Sequence, residues 1–295
     1  MPLDAARLRA TIESVTDLPT LPVVVSKITS QIANPTTNAA DIGSLIEQDQ
    51  VLTGKVLRLV NSAYYGFPKQ IKSIQHAVVI LGFNKVKTII ITASVFSAFG
   101  NRKPGALDLQ RFWQHSLASA LASKAAAELI GVSHVGEDAF VGGLLHDIGK
   151  VVMDQYQPNI YAPIVKYACD KGILLLDAER EVMGLDHALV GGWMTEKWRL
   201  PPAIVHMVSD HHLPNATTER RDLIASIHLG DILARAMGIG YGGDNRMPEI
   251  DPAVAGSYGI DARFFDEAVD RLVDETMKAE DFFSLIASGT GEVSS

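Results

Sequence analysis

Apolar residues recur three and four positions apart along most of this chain. The runs Asp41–Asp49 and Leu52–Val60 are typical. This spacing lays one apolar stripe along a helix. Helix starts agree with it. Asn38 precedes the Ala39 run with Asp41 in the first turn, and Asp49 precedes the next run. No period-two strand pattern with turns appears. Val23-Val24-Val25 and Ile89-Ile90-Ile91 are β-branched, yet each sits inside a longer helical spacing. The pattern predicts an all-α chain of about a dozen helices.

The elements fall into two groups. Residues 1–105 read as an N-terminal subdomain of short helices, ending at the polar, breaker-containing link Asn101-Arg102-Lys103-Pro104-Gly105. Residues 106–295 read as a second subdomain. It opens with an alanine-rich helix from Leu109 to Gly131, followed by a helix carrying His146-Asp147. Further helices are expected over Asn159–Lys171 and His187–Trp198, from Pro201-Pro202, and over Arg220–Met237. Gly238 to Pro252 reads as a loop, Ala262 to Leu285 as a helix pair, and the tail from Ala287 as frayed.

Composition narrows the classes. Hydrophobic residues make up 47% and charged residues 20%, which supports a large core. The formal net charge is −8 and no basic cluster stands out, which argues against nucleic acid or an anionic membrane as main partner. The longest uncharged run, Thr88 to Asn101, is 14 residues. A bilayer span needs about 20, so the run reads as a buried helix. The single cysteine, Cys169, excludes an internal disulfide, suits a reducing cytosol and reads as a small packed side chain. Met-Pro-Leu-Asp-Ala-Ala-Arg at the start lacks the regions of a signal peptide. The expected location is cytoplasmic.

The chemistry concentrates in Gly142-Gly143-Leu144-Leu145-His146-Asp147-Ile148-Gly149-Lys150. An imidazole and a carboxylate at the end of an apolar run need a partner or a metal. Adjacent on a helix they point about 100° apart, and both can still reach one ion at its end. Gly142 and Gly143 would let another helix approach closely. His115 faces the small residues Ala118, Ser119 and Ala122. Alone it reads as a core or boundary histidine rather than a ligand. Asp231 lies in the apolar run Ile227–Leu233, where a lone carboxylate is costly. A ligand role, a surface position or a salt bridge to Arg235 would relieve that. His187 follows Asp186, and His211-His212 follow Asp210. Both could line a cavity or close a helix end. His76, His134, His206 and His228 have no such frame.

The His146-Asp147 frame, with His115 upstream and Asp231 downstream, resembles the HD superfamily of metal-dependent phosphohydrolases. Four N-terminal stretches narrow this: Leu18–Pro22, Leu45–Asp49, Lys55–Gly66 with its Asn61-Ser62-Ala63 element, and Ile74–Gly82. They look like the HDOD family, a bacterial signalling module related to the HD enzymes. The resemblance is close from Leu18 to His212 and looser to Asp231. It implies an all-α bundle in which the N-terminal subdomain packs on an HD-type subdomain.

Residue by residue, His115, His146, Asp147 and Asp231 match the first metal position. His187, His211 and His212 match further ligands of the HD-GYP branch, with Asp147 shared. Lys150 matches a lysine that in that branch lies near the substrate phosphate or the bridging hydroxide, so Lys150 and Asp147 are the catalytic candidates. One or two divalent ions are implied, with Fe, Mn, Ni and Zn not distinguished. Two features depart from the HD-GYP branch. Leu213-Pro214-Asn215-Ala216-Thr217 follows the histidine pair in place of Gly-Tyr-Pro, and Arg111 stands one turn before His115 where a carboxylate would suit a third metal. Both speak against cyclic-di-GMP hydrolysis.

Two functional expectations follow. One is a signalling protein that retains an HD-type metal site and acts mainly through protein partners. The aromatic loop Tyr64-Tyr65-Gly66-Phe67-Pro68 is either a partner contact or a packed turn. The alternative is an active phosphohydrolase on a nucleotide, cyclic nucleotide or other phosphodiester. With no receiver, kinase or cyclase segment in the sequence, the input is expected from another molecule. The oligomeric state stays open.

Overall fold

Caps legible in the sequence become helix starts in the structure. The computed structural model describes residues 9–10, 18–32, 34–99, 105–214 and 220–288. Among these there are more than a dozen α-helices and no strand. They divide into two units: 19–102 with 198–201 and 274–295, and 1–18 with 103–197 and 202–273.

The smaller unit holds α1 (Val23–Ile32), α2 (Ala39–Ile46), α3 (Gln50–Val60), α4 (Ile74–Leu81) and α5 (Phe83–Phe99). Asn38 Oδ1 accepts from the backbone N–H groups of Ala40 and Asp41, and Asp41 returns a bond to the Asn38 N–H. This reciprocal cap satisfies donors that the first turn of α2 would leave orphaned. Asp49 caps α3 through the Leu52 N–H, and Ser73 caps α4 through His76.

Asn61 explains the element built around it. Its amide donates to the carbonyls of Leu57 and Ile71, and its Oδ1 accepts from the Ile71 N–H at 2.7 Å. The side chain thus ends α3 and ties down both ends of the loop 62–70. In that loop Tyr64 and Tyr65 pack on Phe282, with ring centroids 5.6 and 6.4 Å away. The aromatic segment is a packed turn. The uncharged run from Thr88 forms most of α5, whose Val86, Ile89, Ile90, Ile91, Val95 and Phe99 are all buried. No helix among the described residues is long and apolar enough to cross a membrane.

The larger unit begins with α6 (Leu109–Leu129), followed by a 3-10 turn (Ser133–Val135), α7 (Gly136–Leu145), α8 (Ile148–Tyr156), α9 (Pro158–Lys171) and α10 (Leu175–Met183). Then come α11 (His187–Lys197), α12 (Pro202–Ser209), α13 (Arg221–Ala236), α14 (Pro252–Tyr258) and the first part of α15 (Ala262–Ser288), whose residues from Asp274 onward belong to the smaller unit. The alanine-rich α6 is central, flanked by α7 and α13, while α11 packs on α8 and α12. Small side chains on α6 let both neighbours come close.

Four details differ from the sequence reading. The helix expected to carry His146-Asp147 breaks there: α7 ends at Leu145 and α8 starts at Ile148, with Asp147 at φ −95°, ψ 6°. Helices α10 and α14 form where none was expected. Ala262 to Leu285 is one helix, because its apolar stripe continues without a breaker. Cys169 is exposed, since it lies on the solvent side of α9. The loop after α13 is as expected. Residues 101–104, 215–219 and 289–295, which include parts of the link, the segment after the histidine pair and the tail, lie outside the described residues.

Candidate metal centre

Four helices and two helix ends deliver the candidate ligands to one buried spot in the larger unit. His115 comes from mid-α6 and Asp231 from mid-α13. His146 and Asp147 occupy the α7–α8 break, and Lys150 the first turn of α8. His187 opens α11, and His211 and His212 follow α12. Short side chains can converge only if the backbones approach closely, and two glycines permit it. A Cβ at Gly143 would lie 2.6 Å from the Ser119 carbonyl oxygen on α6. One at Gly149 would lie 1.9 Å from the His187 carbonyl oxygen on α11. No side chain other than hydrogen fits at either place.

All seven candidate ligands meet. His187, His211 and His212 offer atoms within 4.8 Å of one another, as do His115, His146 and Asp231, and His146, Asp147 and His211. The three groups share members, so they form one continuous cluster. Every member except His212, which is half-buried, is removed from water.

The rings share an orientation. His146 Nδ1 lies 2.7 Å from the Gly143 carbonyl oxygen, and His211 Nδ1 lies 2.7 Å from that of Val208. His187 Nδ1 lies 2.6 Å from Glu179 Oε2. An oxygen of this kind only accepts, so each Nδ1 carries the proton and each Nε2 turns into the cluster. His146 Nε2, His211 Nε2 and Asp147 Oδ1 are buried and lack a hydrogen-bond partner among the described residues. Three buried polar atoms left open at one spot are costly unless something binds them.

Carboxylates and cations balance around the imidazoles. His115 Nε2 lies 3.1 Å from Asp231 Oδ1 and 3.6 Å from Asp147 Oδ2. Lys150 is buried, and its Nζ donates to Asp147 Oδ2 at 2.7 Å and to the Gly242 carbonyl at 2.8 Å. Arg235 Nε donates to Asp231 Oδ1 at 3.0 Å. Two of the three readings of Asp231 therefore hold geometrically: it pairs with Arg235 and also faces the cluster.

Burial would raise the carboxyl groups of Asp147 and Asp231. The charges of His146 and Lys150 on Asp147, and of Arg235 on Asp231, overcome it and hold both well below the usual range. Burial likewise opposes the His146 imidazolium, yet the charges of Asp147 and Asp231 lift it to about 9. His211 goes the other way. Burial, reinforced by the charges of His146 and His187, pushes it down to about 3. His212 is also held well below its ordinary value, by burial and then by His211 and His187. Two rings thus stay neutral, and His212 Nε2 lies 2.9 Å from His187 Nε2.

Glu179 was not singled out by sequence reasoning. It is fully buried on α10, accepts from the His187 N–H and Nδ1, and accepts from the Tyr161 hydroxyl at 2.7 Å. The signal was weak: a glutamate eight residues before His187 in the otherwise polar stretch Asp177–Glu181. Arg235 appeared only as a salt-bridge partner. Asp244, which orients it through Nη1 at 3.1 Å, did not appear at all. His228 accepts from the Asp251 N–H and stands outside the cluster.

The model of the HDOD domain matches residues 18–214, two thirds of the chain. This chain belongs to the HDOD family. An uncharacterized protein of Treponema pallidum (strain Nichols) is 27% identical over 226 residues, 76% of this chain and 43% of the relative. The chain therefore spans less than half the length of the curated relative it matches. Among solved structures, an HDOD domain protein of unknown function from Geobacter sulfurreducens superposes with a TM-score of 0.72. It is 24% identical, with 97% of this chain and 98% of that chain covered. A candidate phosphohydrolase from Shewanella amazonensis SB2B gives 0.70 at 22% identity, covering 96% and 98%. At these identities the likeness establishes the all-α HDOD fold.

Proposed function

We propose that this HDOD protein holds one or two divalent metal ions in a retained HD-type centre and acts mainly through signalling-protein partners. The observation that carries the reading is the set of buried, open atoms: His146 Nε2, His211 Nε2 and Asp147 Oδ1. His115, His146, Asp147 and Asp231 would hold one ion. His187, His211 and His212 would hold a second, with Asp147 common to both. An imidazole-rich set with carboxylates suits Fe, Mn, Ni or Zn. When bound, such an ion polarises a phosphate oxygen and lowers the pKa of water.

The chain's own residues prepare that chemistry. The Nδ1 bonds of His146, His187 and His211 fix the tautomer that leaves the Nε2 lone pair free to ligate an ion. Lys150 occupies Asp147 Oδ2, so Oδ1 stays turned toward His187 and His211. The cluster residues on α6, α8 and α13 are buried, which strengthens each charge interaction.

A second reading is favoured by Lys150. A buried ammonium beside Asp147 places positive charge where a phosphate would develop negative charge. On this reading the protein is an active phosphohydrolase on a nucleotide or other phosphodiester, with Lys150 and Asp147 as its catalytic pair.

Elemental analysis of protein purified without chelator tests the centre. The parent should carry at least one ion per chain, and His146→Ala with Asp147→Ala should carry far less. Equal metal in both would end the proposal. Turnover in a screen of phosphodiesters would favour the enzyme over the partner-binding module.

A further inference from the structure

A second hollow in the larger unit borders the cluster but contains chemistry of its own. It has a volume of about 190 Å³, opens to solvent and lies beneath the loop after α13. Arg111, Arg235, Arg246, Tyr241 and the ring of His115 line it. Gly242 keeps one corner clear. A Cβ there would lie 3.2 Å from His115 Nε2 and 3.0 Å from the Arg235 guanidinium.

Charge in this hollow is unbalanced. Asp244 is its one lining carboxylate, and that group is already occupied. It accepts from Arg235 Nη1 at 3.1 Å, from the Arg246 N–H at 2.8 Å and from the Leu175 N–H at 3.0 Å. Arg235 is divided between Asp244 and Asp231. Arg111 and Arg246 are exposed, and neither pairs with a carboxylate among the described residues. Arg111 is nevertheless held in place. Its guanidinium donates to the Gly240 carbonyl at 3.2 Å and lies 5.2 Å from the centroid of the Tyr241 ring. A chain of net charge −8 thus carries a concave, cationic pocket with unused guanidinium donors.

We propose that this hollow is a binding site for the phosphate group of a phosphomonoester. Guanidinium offers paired N–H donors that match phosphate oxygens, and a doubly charged monoester gains most from two of them. Size is compatible with this: the hollow, about 190 Å³ and open to solvent, has room for a phosphate group and a few attached atoms. The rest of the ligand stays outside the mouth. Phosphate binding by the arginines does not require a metal. That the bound phosphate then faces the metal centre rests on the reading of the previous section.

The test uses the full chain stripped of metal with chelator, so that its outcome is separate from that of the metal centre. Calorimetric titration with inorganic phosphate, AMP and adenosine is compared for the parent and for Arg111→Ala with Arg246→Ala. Phosphate and AMP should compete for one site, adenosine should not bind, and the double variant should bind at least about tenfold more weakly. Arg111→Lys should fall between, because charge is kept and the paired donors are lost. Undiminished binding by the double variant, adenosine binding as well as AMP, or no saturation by phosphate or AMP would overturn the proposal. Arginine-dependent phosphate binding in a protein that takes up no metal would leave it standing and remove only the metal centre.

Discussion

At the scale of residues, the cluster is a contest between protons and a cation for the same Nε2 atoms. In the metal-free protein this fixes a pH profile. His146 is raised from 6.5 to about 9 in the folded state, so its stabilisation is complete below pH 6.5 and is lost as pH rises through about 9. His211 is lowered from 6.5 to about 3, so the folded state loses stability as pH falls below 6.5 toward 3. Metal-free protein should therefore melt at its highest temperature near pH 6.5, and thermal scans across pH 4 to 9.5 would show it. A curve rising steadily to pH 9 would exclude this assignment of charge. Glu179 yields a second expectation. Glu179→Gln keeps the size but disturbs the grip on His187 Nδ1, and outer-sphere changes of this kind weaken metal affinity about 10–100-fold. Competition with a chromophoric chelator measures it. An unchanged affinity would make Glu179 a packing residue only. Why His146-Asp147 was legible and Glu179 was not is a matter of context. A His-Asp pair inside Gly-Gly-Leu-Leu…Ile-Gly-Lys has no solvent to excuse it. Glu179 stands among Asp177, Arg180 and Glu181, where one more charge looks like surface.

At the scale of elements, glycine sets the distances between helices. Gly143 on α7 has the Ser119 carbonyl oxygen 2.6 Å and Ala120 Cα 2.8 Å from any added Cβ. Gly54 on α3 has nothing within 4 Å. The same substitution should act in opposite directions. Gly143→Ala should destabilise by roughly 1–3 kcal/mol through overpacking, and Gly54→Ala should stabilise by roughly 0.5–1 kcal/mol by restricting the unfolded chain. Denaturant melts of the two variants would show the signs, and a neutral Gly143→Ala would mean that α6 and α7 are not held this tightly. Periodicity disclosed most of these helices, and local caps such as Asn38 disclosed where they start. It did not disclose the break at Asp147, because apolar spacing continues through both α7 and α8. Nor did it disclose α10, a short helix whose charged face outweighs its buried Leu175, Ala178 and Met183.

At the scale of the molecule, the cluster draws on helices from Leu109 to Ala236, and every ligand candidate belongs to the larger unit. Metal loading should therefore slow amide exchange in α6, α8, α11 and α13 and leave α2 to α4 unchanged. Uniform protection across both units, or none, would contradict a local centre. The all-α architecture could be read before any coordinate because helical spacing never yields to alternation. The convergence of residues 115 and 231 could not be read from spacing alone. It depends on α7 and α13 both lying against α6, a long-range arrangement that only the family resemblance anticipated.

The most direct test is a crystal structure of the metal-loaded protein with anomalous data collected at the metal's absorption edge. The account predicts a peak bounded by His146 Nε2, His211 Nε2 and Asp147 Oδ1, with the imidazole orientations kept. A map that is empty there, or a peak only at surface carboxylates, would contradict it.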